Sequence, residues 1–134
     1  MKKIALILAF LSLFFSLSAQ EQMSEKEREK KFFEAIDKET ERLTILLDLD
    51  DWQVFYVDSI LTHDYTALQE EYTALSKSKV SNSDIYYDTQ DKWMEQIYQS
   101  YSKVFNEEQW AKYLKSGAAR DKKARDKRAL KKKK

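Results

Sequence analysis

With 134 residues, no cysteine, no proline and one glycine, the chain excludes disulfides, thiolate metal sites and lipid attachment at a cysteine. It also lacks the glycines that phosphate cradles and EF-hand-like calcium loops need, and the turn residues that join short strands. The formal charge of +1 conceals a polarity: residues 20–114 carry 11 Lys/Arg against 21 Asp/Glu, and residues 115–134 carry 11 against only Asp121 and Asp126, an acidic body followed by a basic interaction tail.

In chain order, Lys2 and Lys3 precede an apolar run, Ile4 to Leu17, broken only by serines, and small residues Ser16, Ser18 and Ala19 lead into Gln20-Glu21-Gln22. That order is the signature of a secretory signal peptide. A membrane anchor is the competing reading, but the run of about 14 residues is short of the roughly 20 that span hydrocarbon. Cleavage is expected after Ala19, with Ser18 as the next candidate, so residues 1–19 are read as a signal and the destination as the periplasm. The remaining 115 of the 134 residues suffice for one domain without covalent staples.

Ser24-Glu25-Lys26-Glu27 fits a capping box and predicts a first helix from Ser24 to about Leu47, with Phe32, Phe33, Ile36, Leu43, Leu46 and Leu47 on its apolar side. Val54, Val57, Leu61, Tyr65, Leu68, Tyr72 and Leu75 recur at spacings of three and four, so a second helix should start near Asp51 and fade in Ser76 to Lys79. Ser81-Asn82-Ser83-Asp84 supplies a loop and a cap for a third, which carries Tyr86, Trp93, Ile97, Tyr101 and Val104 and ends near Phe105. A fourth begins at Glu107 with Trp110, Tyr113 and Leu114 inward. Beyond Gly117 the apolar period is lost, and the tail is expected to be a frayed, solvated helix that does not pack. The fold class is therefore all-α: elongated helical hairpins or an open four-helix arrangement over residues 20–114, with 115–134 as a basic tail.

One local pattern occurs twice. Leu49-Asp50-Asp51-Trp52-Gln53 precedes the second helix and Phe105-Asn106-Glu107-Glu108-Gln109 the fourth. Each is a hydrophobic staple (Leu49, Phe105) and a capping box, in which Asp50 or Asn106 accepts from the N3 amide and Gln53 or Gln109 reaches back to the cap. Any helical protein carries caps of this kind. Twice in one small exported chain, at the starts of alternate helices, the pattern resembles the Spy/CpxP-like LTXXQ-motif periplasmic family. The resemblance covers residues 43–114; Asp50 and Asn106 stand where that motif has threonine, and Phe105 where it has leucine. It implies a four-helix exported protein that pairs into a thin, curved dimer and acts as an ATP-independent chaperone or an envelope-stress regulator. Such cradles are described as basic on the concave face, whereas this body is acidic.

No catalytic constellation is legible. His63, the single histidine, has Ser59 one turn earlier and Asp64 beside it, but a helix surface offers no oxyanion hole, and a structural histidine is the simpler reading. One histidine and no cysteine cannot build a zinc site, and Asp48/Asp50/Asp51 and Glu70/Glu71 read as solvated or N-terminal charge. No cofactor is expected. The eight tyrosines and three tryptophans either cover a thin core or line a groove or dimer seam. The expected partners are non-native proteins, or one dedicated envelope protein, with a homodimer implied by the resemblance. The basic tail, Lys131 to Lys134 included, is expected to touch an anionic surface, to meet the acidic face of a second copy, or to remain solvated. Export argues against nucleic acid.

Overall fold

The structure, a computed structural model, describes residues 23–133. The expected signal segment lies outside the described residues. The all-helical expectation is borne out: α1 runs Glu25–Leu47, α2 Asp51–Lys77, α3 Ser83–Val104 and α4 Glu107–Tyr113. A π-helical turn at Leu114–Ala118 then leads into α5, Ala119–Lys132, and α4, this turn and α5 form one fourth limb. Among the described residues no helix is long and apolar enough to cross a membrane.

α1 to α4 each start at a residue whose short polar side chain can accept orphan backbone donors. Ser24 Oγ accepts from the Glu27 amide at 3.2 Å, and Asn82 Oδ1 from the Asp84 amide at 3.0 Å. The turn between α1 and α2 is only three residues long because Asp48 takes φ 51. That left-handed conformation is one that aspartate tolerates better than most residues, and it stops α1 at once.

The limbs alternate in direction. α2 is central and packs against both α1 and α3, α4 returns onto α1, and α5 lies along α3. The apolar period of each sequence fixes which face is inward. Ile36, Leu43 and Leu47 of α1, Val57 and Leu61 of α2, and Ile97 and Tyr101 of α3 form one buried cluster with Leu49 and Phe105 from the two turns. Fully burying each aliphatic side chain of this kind stabilises the fold by about 1.5–3 kcal/mol.

The basic segment departs from the sequence expectation. α5 is helical and docked, although it buries no residue. Lys122 Nζ and Arg125 Nε reach Glu95 at 2.6 and 3.1 Å, Arg128 forks onto Asp91 at 2.6 and 2.8 Å, and Lys132 pairs with Asp88. Hydrophobic periodicity could not disclose this contact, because charge rather than apolar area makes it. Gly117 directs the docking: its φ of 122 is open to glycine and strained for other residues.

Candidate functional site

The two capping motifs meet at one end of the bundle. Both turns form capping boxes, with the Asp50 amide donating to Gln53 Oε1 and the Asn106 amide to Gln109 Oε1, each at 2.9 Å. The Gln109 amide donates to Asn106 Oδ1 at 2.9 Å. Leu49 and Phe105 are buried in the core as staples. What the sequence did not disclose is that the two glutamines also bond each other. Gln53 Nε2 donates to Gln109 Oε1 at 2.7 Å and Gln109 Nε2 to Gln53 Oε1 at 3.0 Å, and Gln53 Nε2 also reaches the Val104 carbonyl at 3.0 Å. Both side chains are buried. Each oxygen thus accepts twice, and both amide nitrogens donate within the buried pair. Gln53 and Gln109 form a polar clasp inside the protein, with Leu49 and Phe105 buried beside it, while Asp50 and Asn106 stay at the surface as caps.

A half-open cleft of 800 Å³ is lined by α1, α2, α3 and the fourth limb. Leu68, Met94 and Ile97 supply aliphatic floor, and six of the eight tyrosines line it: Tyr65, Tyr72, Tyr87, Tyr98, Tyr101 and Tyr113. The two sequence alternatives for the aromatics therefore both hold in part, since Tyr101 is at once core and cleft wall. The rings brace one another edge to face: Tyr98 with Trp110 at 4.9 Å between centroids, and Tyr101 with Tyr113 at 5.3 Å. Burial pushes the phenols of Tyr65, Tyr101 and Tyr113 well up, and that of Tyr72 up to about 12. All four stay neutral donors at physiological pH. The Tyr101 hydroxyl and Arg125 Nη2 are buried in the cleft wall with no hydrogen-bond partner among the described residues.

Charge in the cleft reverses that of the body. Lys31, Lys38 and Arg42 from α1, and Arg120, Arg125 and Arg128 from α5, face Glu34, Glu39, Asp91 and Asp121. Six cations stand against four carboxylates, because the basic segment folds over an acidic body and becomes one wall. Several are engaged. The Arg42 guanidinium is forked on Glu39 at 2.7 and 2.9 Å, and this hydrogen bonding raises its pKa further. Burial would raise the Glu95 pKa, but hydrogen bonds from Lys122, Gln99 and Arg125 outweigh it and hold the carboxyl below its ordinary value.

The catalytic candidates weighed in the sequence do not converge. Ser59 Oγ donates to the Phe55 carbonyl at 2.8 Å, one turn back on its own helix. His63 is largely exposed and bonds through Nδ1 to Asp64 Oδ1 at 2.7 Å. Asp64 itself is buried, and Gln96 Nε2 donates to the same oxygen at 3.2 Å, so this aspartate ties α2 to α3. Neither side chain lines the cleft. Among the described residues no three His, Asp or Glu side chains gather as a metal site would require.

Compared with known proteins, the chain matches no protein-family model, no curated protein and no solved structure.

Proposed function

We propose that this is an exported helical binding protein of the periplasm that holds non-native polypeptide segments in the cleft, in the manner of the LTXXQ-motif chaperones and stress regulators it resembles. The cleft lined by six tyrosines with Leu68, Met94 and Ile97 is the observation that carries this reading. Tyrosine offers a broad apolar face with a hydroxyl that can bond any backbone group, and methionine adapts to irregular shapes. A surface of that composition accepts many sequences without demanding one. The unpartnered Tyr101 hydroxyl and Arg125 Nη2 add polar demand that a peptide carbonyl could meet once the wall yields. The reading assigns no catalytic step and no cofactor.

The test is aggregation of a chemically denatured client, followed by light scattering, with and without an equimolar amount of the processed protein. Slower aggregation is expected, and Tyr87→Ala with Tyr98→Ala should remove most of the effect while circular dichroism stays helical. No protection by the wild-type chain would sink the chaperone reading.

A second reading, an interaction protein with one dedicated envelope partner, is favoured by a different surface. Trp52, Phe55 and Tyr56 at the start of α2 are 54%, 68% and 51% exposed, and the Tyr56 ring meets the other two edge to face. Client protection that survives Trp52→Ala with Phe55→Ala separates the two surfaces.

A further inference from the structure

α5 carries its cations in two rows. The inner row, Lys122, Arg125, Arg128 and Lys132, is consumed by Glu95, Asp91 and Asp88 of α3. A second row, Lys123, Lys127 and Lys131, recurs every fourth residue and so runs along one side of the helix. All three are exposed, and none enters an ion pair or hydrogen bond among the described residues. The carboxylates that could neutralise them are engaged elsewhere: Asp126 with Lys122 and Asp121 with Arg120. Leu130 lies exposed beside this row.

The fold gains nothing from the second row, since like charges four apart on a helix repel. It extends over ~12 Å of helix, straight and without a pocket. Nothing in it selects a shape or a sequence. The rest of the molecule is acidic, with a net charge of −10 over residues 20–114, so an anionic surface would repel the body and attract the basic end, where this row is exposed.

We infer that the outer row of α5 docks on the phosphate headgroups of an anionic lipid bilayer, while the inner row keeps α5 fastened to α3. A bilayer presents phosphate continuously and asks for no register, which suits a plain cationic line with one apolar side chain beside it. The body would then stand off the surface, with the cleft intact. This inference is independent of what the cleft holds.

The experiment is co-sedimentation with vesicles, using the chain without residues 1–19. Its buried cluster lies wholly between Ile36 and Phe105, and the apolar run of residues 4–17 would bind lipid by itself. Vesicles of phosphatidylcholine containing phosphatidylglycerol should bind the protein at low salt, and release it at high salt. Pure phosphatidylcholine should not bind it. The triple variant Lys123→Gln, Lys127→Gln, Lys131→Gln should bind on the order of a hundredfold more weakly with an unchanged helical spectrum. Arg128→Gln on the inner row should bind the vesicles like the wild type. Equal binding by the triple variant, or failure of the wild type to bind, overturns the inference. So does equally tight binding of soluble polyglutamate or of nucleic acid, which would make the row a general polyanion site.

Discussion

Gln53 and Gln109 each close a helix and bond the other with one amide group. A cap alone contributes about 1 kcal/mol. Truncating either glutamine here also strands the other amide in the core, at about 1–3 kcal/mol. Gln53→Ala and Gln109→Ala are each expected to cost about 2–4 kcal/mol in chemical denaturation, and the double variant about 1–3 kcal/mol less than their sum. Strict additivity would mean the two amides act as separate caps. The capping half of this arrangement was legible, because a cap is a local device read from four consecutive residues. The pairing was not, because it joins residues 56 positions apart and nothing local encodes the distance. Asp64 has the same lesson: written beside an exposed histidine, it turns inward because Gln96 on another helix receives it.

Among the elements, the apolar stripes of α1, α2 and α3 gave their limits to within about a residue, as amphipathic helices of this length should. α5 had no stripe, and its docking emerges only when its cations are laid against Asp88, Asp91 and Glu95. The contact should respond to acid. Glu95 is held below its ordinary pKa, so its contribution is complete above about pH 4.3 and fades as pH falls through the lowered folded value. At the other limit, hydrogen bonds to Asp126 and Glu95 raise the Lys122 pKa, which keeps that partner charged beyond the usual lysine range. Amide-exchange protection of residues 119–132 is therefore expected to hold from neutral to alkaline pH and to decline only in acid. Glu95→Gln should lower it throughout; unchanged protection in that variant would show that α5 is held by something else.

For the molecule as a whole, the core forms without α5, although Ile97 and Tyr101 belong to both core and cleft. The buried cluster draws on residues 36–105, and α5 adds a wall without adding buried apolar area. Exposed ion pairs contribute little each. A chain ending at Ser116 should therefore keep a cooperative thermal transition and lose no more than about 2 kcal/mol, while the cleft loses its three α5 arginines and the outer lysine row goes with them. Collapse of that truncated chain to a molten or aggregated state would assign α5 a place in the core. The composition announced an acidic body and a basic end. It could not announce that the end folds back and gives the cleft a charge opposite to its surroundings, since that depends on the one glycine at which the fourth limb turns.

The glutamine clasp has a mechanical consequence. It pins the bundle at one end, as the rivet of a pair of tongs does, whereas the far ends of α1 and α5 share no such joint. Over the ~33 Å from that rivet to the start of α1, a tilt of about 5° moves the helix tip by about 3 Å. Such a tilt would change the width of the cleft mouth while the hinge keeps every bond it has.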